Sequence, residues 1–203
     1  VTTAVFDGKY LAADTRVTSR MPEMDRCCPS CDKEINKTYG VVRKLAVPPS
    51  GKAMFRGQKT VAWAGAGMLK TMKAFSRAMD KNMPLEDVHN VIKMAGGSLD
   101  CSILVVTEES CWQIEVRDTL TVTEVKEFPV AIGSGLPAAL FACKYLNMTA
   151  FGAVGAASLS DPSTGGAIHY VDCRPENGEV PRMQSDTWSD QEMRDHLKEM
   201  QHV

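Results

Sequence analysis

A chain of 203 residues is long enough for one domain with a substantial core. Its formal net charge of −2, with lysines and arginines scattered along the chain, excludes the electrostatic footprint of a nucleic-acid binder. No apolar run approaches the roughly 18 residues of a membrane helix; the longest soft stretch, Ala150 to Leu159, is broken by Gly152 and Gly155. Nothing ahead of Thr2 reads as a signal peptide, and the odd number of cysteines, seven, is expected as reduced thiols in a cytoplasmic protein.

In chain order, Thr2 to Phe6 and Lys9 to Asp14 read as a hairpin around Asp7-Gly8, the preferred pair of a two-residue type I′ turn. That turn would set Phe6 opposite Lys9 and Thr2 opposite Ala13, with Asp14 next along. The polar segment Thr18 to Asn36 reads as a loop, followed by strand-like runs at Thr38 to Val47, Ala53 to Phe55 and Thr60 to Ala64. Met68, Leu69, Met72, Phe75, Ala78 and Met79 have helical spacing, and a second helix is expected from Pro84. Strands are expected at Ser102 to Thr107, Trp112 to Val116, Thr119 to Val125 and Pro129 to Ile132. Gly133-Ser134-Gly135 opens a helix to Tyr145, a short helix starts at Ala150, and Ile168 to Val171 is a late strand. Ser189 and Glu192 form a capping box for a last helix. This order predicts α+β architecture in four layers rather than a doubly wound sheet, as a single domain over 1–203 with 172–203 a C-terminal extension.

Thr2 places a hydroxyl within one residue of the start of the chain. Were Thr2 the first residue, its α-amine, of pKa near ~8, would accept the hydroxyl proton and activate a nucleophile that is otherwise poor. With Val1 attached that nitrogen is an amide and cannot act as a base. Three further motifs follow in order. They are Ala12-Ala13-Asp14-Thr15-Arg16 with Lys37 ahead of Val41-Val42-Arg43-Lys44-Leu45; Ala64-Gly65-Ala66-Gly67; and Gly133-Ser134-Gly135 with Asp161-Pro162-Ser163-Thr164-Gly165-Gly166.

With these motifs the chain resembles, over about residues 2 to 171, the N-terminal-nucleophile hydrolases, specifically proteasome β-subunits and the bacterial peptidase HslV. The resemblance implies a four-layer αββα sandwich, the Ntn-hydrolase fold. It implies Thr2 as nucleophile, Asp14 and Lys37 as the pair that tunes it, with Lys33 and Lys44 as competing lysines that lack Lys37's offset to the Val42–Leu45 strand, and Gly67 N–H as oxyanion donor. Ser134, Asp161 and Thr164 would complete the proton network around the amine. Thr3, Val17, Ile35, Tyr39, Gly65, Leu69 and Lys73 fall at substrate-binding positions, with Leu69 and Lys73 one helical turn apart. A pocket of that composition suits apolar or acidic side chains.

The activity so implied is a threonine-type endopeptidase acting through an acyl-ester on peptide or unfolded-protein substrates. The enzyme would be a homo-oligomer of stacked rings, fed by an AAA+ unfoldase, with no required cofactor and no nucleic-acid or membrane partner. A non-catalytic structural or binding subunit of the same fold and a small-molecule Ntn amidohydrolase are the alternatives. Cys27, Cys28 and Cys31 have the spacing of half a zinc knuckle; zinc there needs further ligands, and a reduced or redox-sensitive loop is the competing expectation.

Overall fold

The computed structural model describes residues 2–20, 36–41, 43–48, 53–83, 90, 100–176 and 178–200, of which 18–20, 36–41 and 200 are described by their backbone alone. The first strands are β1 (Thr3–Phe6), β2 (Tyr10–Asp14), β3 (Arg16–Arg20), β4 (Asn36–Val41), β5 (Leu45–Ala46), β6 (Met54–Phe55) and β7 (Gln58–Gly67). Helix α1 (Leu69–Asp80) follows, then β8 (Cys101–Thr107), β9 (Cys111–Val116), β10 (Leu120–Val125) and β11 (Val130–Gly133). Helices α2 (Leu136–Tyr145) and α3 (Ala150–Ser158), strands β12 (Ile168–Asp172) and β13 (Met183–Asp186), and helix α4 (Asp190–Met200) complete the chain. The helix expected from Pro84 lies outside the described residues.

Two antiparallel sheets dominate. One has the order β11-β1-β2-β12-β13; the other runs β10-β9-β8-β7-β5, with β6 also paired to β7. Strand periodicity explains how they stack. Ala4 and Phe6 of β1, with Leu11 and Ala13 of β2, meet Ala62, Ala64, Leu104 and Val106 of the second sheet in one buried cluster. The intervening Val5 and Ala12 face the other way, onto Ala139, Ala142, Ala153 and Val154 of α2 and α3. Across the second sheet, Ile103, Val105 and Ile114 pack on Ala74, Phe75, Ala78 and Met79 of α1. This mixed α/β arrangement, sheets face to face with helices outside, is compatible with the expected sandwich.

The segment expected as an extension contributes to this core: β13 pairs with β12, and Met193 of α4 is 1% exposed against the α2–α3 layer. The expected capping box is present at α4, where Ser189 Oγ accepts from Glu192 N at 3.2 Å and Glu192 Oε2 accepts from Ser189 N at 2.8 Å.

The hairpin register differs from expectation by two residues. Phe6 lies opposite Leu11 and Ala4 opposite Ala13, so Asp14 comes level with Thr3. The pair at the tip is Gly8-Lys9, not Asp7-Gly8. Gly8 takes φ of +104°, as the first central position of a type II′ turn requires. Asp7 instead braces the turn: its Oδ1 accepts from the Lys9 and Tyr10 amides at 2.9 and 2.7 Å, and its Oδ2 from Ala150 N at the start of α3. An even shift keeps every side chain on its expected face.

Candidate functional site

The site forms where β1, β2, β11 and the 161–166 loop converge. Ser134 N donates to the Thr2 carbonyl oxygen at 3.1 Å, extending the β1–β11 ladder in which Thr3 faces Gly133. This close approach requires glycine on both sides of Ser134. A Cβ on Gly133, whose φ is +96°, would stand 1.6 Å from the Thr2 carbonyl oxygen and 3.2 Å from Ala66 Cβ. One on Gly135 would stand 2.2 Å from Thr3 Oγ1. The same clash geometry shows that Thr2, Gly133 and the Gly65–Gly67 stretch of β7 are mutual neighbours.

Asp14 is the electrostatic centre. Its side chain is fully buried, and five contacts converge on it. Thr3 N donates to Oδ1 at 2.9 Å, Arg16 N and Gly165 N donate to Oδ2 at 3.1 Å each, and Lys44 Nζ reaches Oδ1 at 3.3 and Oδ2 at 3.2 Å. Lys44 Nζ also donates to the Arg16 carbonyl oxygen. Burial pushes the Asp14 carboxyl up and the Lys44 ammonium down, each opposed by the charge of the other.

Lys37 is the lysine expected beside Asp14; the lysine found paired with Asp14 among the described residues is Lys44. The backbone of Lys37 lies in β4 opposite Ser19; its side chain is outside the described residues. The physical reason is that 38–47 is not one strand. Leu45-Ala46 joins the second sheet against Ala64 and Trp63, and Gly65 N donates to the Lys44 carbonyl oxygen at 3.0 Å, which seats Lys44 beside the glycine run.

A chain of hydroxyls leads from Thr3 to Asp161. Ser134 Oγ and Thr164 Oγ1 both donate to Asp161 Oδ2, the latter at 2.6 Å. Because Thr164 has one hydroxyl proton and spends it there, the 2.6 Å contact between Thr3 Oγ1 and Thr164 Oγ1 has Thr3 as donor. Thr3 Oγ1 accepts in turn from Gly135 N at 3.1 Å. Burial raises the Asp161 carboxyl, but the donors Ser134, Thr164 and Ser163 N outweigh it and hold the group below its ordinary range. Thr3, expected at a substrate-binding position, is completely buried, as is Thr2 at 1% exposure, and the Thr3 hydroxyl is committed to this network. Ser134 is exposed, so the chain of hydroxyls opens to solvent at that end.

Gly67 is the last residue of β7, opposite Cys101. Its φ of +120° and the 2.4 Å that would separate a Cβ from the Asp100 carbonyl oxygen leave no room for a side chain. Cys101 is no rival nucleophile, since burial pushes its thiol up to about 12. Gly65, Leu69 and Lys73 line a cavity of about 120 Å³ together with Lys44. Val17 is half-buried at β3 and does not line it; Ile35 and the side chain of Tyr39 lie outside the described residues, as do Cys27, Cys28 and Cys31. Among the described residues no group of three or more potential ligands could hold a metal ion, and no helix is long and apolar enough to cross a membrane. Two larger cavities, of about 840 and 760 Å³, are both lined by Pro175 and by Gly178 to Pro181 and share no residue with the site.

No protein-family model and no curated protein matches the chain. Solved structures do. BPH from Thiobacillus denitrificans in complex with epoxomicin is 14% identical with a TM-score of 0.54, covering 83% of this chain and 95% of its own. An Anbu (Gly-1) mutant from Hyphomicrobium sp. strain MC1 is 16% identical with a TM-score of 0.56, covering 100% and 95%. The Anbu complex from Pseudomonas aeruginosa, a helical assembly, is 14% identical with a TM-score of 0.60, covering 99% and 92%. These neighbours correct the expected placement among proteasome β-subunits and HslV: the chain is similar in fold to BPH and Anbu, and at these identities the likeness is one of fold alone.

Proposed function

We propose that this chain is a hydrolase of the N-terminal threonine type, an endopeptidase with Thr2 as nucleophile once Val1 is removed. The observation that carries this reading is the clamp on the first residues. Thr2 is held through its carbonyl by Ser134 N, and the next amide is fixed on a buried Asp14–Lys44 pair. In the proposed chemistry Thr2 Oγ attacks a peptide carbonyl and the freed amine takes its proton. Lys44 supplies positive charge beside the developing alkoxide, Asp14 orients that lysine, and Gly67 N–H stabilises the oxyanion by roughly 3 kcal/mol. The leaving amine departs, an acyl-ester forms on Thr2, and water releases the product. Ser134, Thr164 and Asp161 order the hydroxyls around the amine and pass protons to solvent. The Ntn-hydrolase fold, a homo-oligomeric assembly and an unfoldase that delivers unfolded chains belong to the same proposal; the helical assembly of the Anbu complex supports the oligomer.

The test is hydrolysis of a fluorogenic peptide by two preparations that differ only in Val1. The chain beginning at Thr2 is expected to turn over the peptide, and the chain that keeps Val1 is expected to be inert. Equal rates from both would overturn the role of the amine.

A further inference from the structure

Thr3 is bonded to both halves of the site. Its amide donates to Asp14 Oδ1 at 2.9 Å, on the side of Lys44, while its hydroxyl lies 2.6 Å from Thr164 Oγ1, on the side of Asp161. Two bonds fix the direction of that hydroxyl. Gly135 N donates to Thr3 Oγ1 at 3.1 Å, and Thr164 spends its own proton on Asp161 Oδ2 at 2.6 Å. Thr3 therefore donates to Thr164, and the protons point one way from Thr3 through Thr164 to Asp161. Asp161 Oδ2 takes a second hydroxyl proton from Ser134, which leaves Ser134 Oγ only lone pairs for a further partner. Water has no room to stand in for Thr3. Thr3 and Thr164 are both 0% exposed, and a Cβ on Gly135 would stand 2.2 Å from one hydroxyl oxygen and 3.0 Å from the other.

We propose that Thr3 is a positioning residue of the threonine chemistry: its hydroxyl sets the direction in which Thr164 and Ser134 donate to Asp161, and so presents Ser134 Oγ as an acceptor to the freed Thr2 amine. The proposal rests on Thr2 being the nucleophile. Donation from Thr3 polarises Thr164 and strengthens its bond to the Asp161 carboxylate, because successive hydrogen bonds reinforce one another. Burial is the largest influence on Asp161 and raises it, yet the donors hold the carboxyl below its ordinary range. The freed amine donates an N–H to Ser134 Oγ and keeps its lone pair for the Thr2 hydroxyl proton. A Ser134 proton released from Asp161 would turn to that lone pair and block the base.

The experiment compares the chain beginning at Thr2 with Thr3→Val, which removes the hydroxyl, and Thr3→Ser, which keeps it. On a fluorogenic peptide, kcat is expected to fall about ten- to a hundredfold in Thr3→Val with KM within about twofold, while Thr3→Ser stays within about threefold of the parent chain. Carbon-13 carboxyl resonances of aspartate, with Asp161 assigned by its loss in Asp161→Asn, report the second readout. Asp161 should titrate at higher pH in Thr3→Val, because its carboxylate loses a polarised donor, and as in the parent chain in Thr3→Ser. Thr3→Ala removes the hydroxyl without crowding Thr164; it replaces Thr3→Val if that variant does not fold, with the same expectations. Equal losses of kcat in Thr3→Val and Thr3→Ser, or an Asp161 titration unmoved when the hydroxyl is gone, would overturn the role of Thr3 and leave the nucleophile standing. A parent chain that hydrolyses no peptide would overturn both.

Discussion

Replacing Lys44 by alanine is expected to cost about 3–5 kcal/mol of stability, because it leaves the buried Asp14 carboxylate without its counter-charge. For a domain of this length that corresponds to a fall in Tm of roughly 10 °C, read by thermal denaturation. Three backbone amides still point at Asp14, from Thr3, Arg16 and Gly165, so the variant keeps a carboxyl that is hydrogen-bonded but desolvated. The pH dependence follows. Burial already holds the Asp14 carboxyl above its ordinary 3.8, and loss of the lysine raises it further. A carboxyl with a raised folded pKa penalises folding fully above that folded value, and the penalty disappears once pH falls below the ordinary one. The deficit of Lys44→Ala should therefore shrink on acidification. The double variant Lys44→Met with Asp14→Asn removes both charges and should recover much of the stability. Under the proposed chemistry neither variant recovers activity, with a loss of about 10²–10⁴ in kcat.

Gly133→Ala is expected to be nearly as damaging, through sterics rather than charge. The added methyl would fall 1.6 Å from the Thr2 carbonyl oxygen and 2.7 Å from its carbonyl carbon, backbone atoms that no rotamer change can move. Strand β1 must then part from β11 at its first residue, breaking the Ser134 N to Thr2 bond. Strain at φ of +96° adds about 1–2 kcal/mol to an overpacking cost of about 1–3 kcal/mol. Gly57→Ala provides the control. Its φ of +80° carries similar backbone strain, but nothing lies within 4 Å of the added methyl. The difference in Tm between the two variants measures the contact with Thr2. Peptide hydrolysis should fall in Gly133→Ala by more than its stability predicts, since the residue displaced is the proposed nucleophile.

The site was legible in sequence where a motif is local. Gly133-Ser134-Gly135 and Asp161 to Gly166 each fold on themselves: Asp161 Oδ1 accepts from Ser163 N, and its carbonyl from Thr164 N, within four residues. Short-range turn chemistry of this kind survives in the residue order. Most of the strands were legible too, because apolar alternation marks them, whereas β13 was not: Met183-Gln184-Ser185-Asp186 is largely exposed and carries no alternation.

The misplacements share one cause, which is register across a chain reversal. Asp7-Gly8 is the stronger turn pair in isolation, yet the tip moved one residue on because the Asp7 carboxylate could cap both the turn and the start of α3. Lys37 kept a plausible offset only if 38–47 were continuous, and the chain instead changes sheets before Lys44. One signal was available: Leu45 is fully buried, and an apolar residue deep between two sheets carries its neighbour Lys44 in with it, where only a carboxylate partner tolerates it.

The most direct measurement is intact mass and fragment mass of the Thr2-initiated chain after exposure to epoxomicin, the compound bound to BPH. A peptide epoxyketone bonds to an amine and a hydroxyl of one residue, so the account predicts a single addition located on Thr2 and absent while Val1 remains. An unmodified Thr2-initiated chain, or an addition located on any other residue, would contradict it.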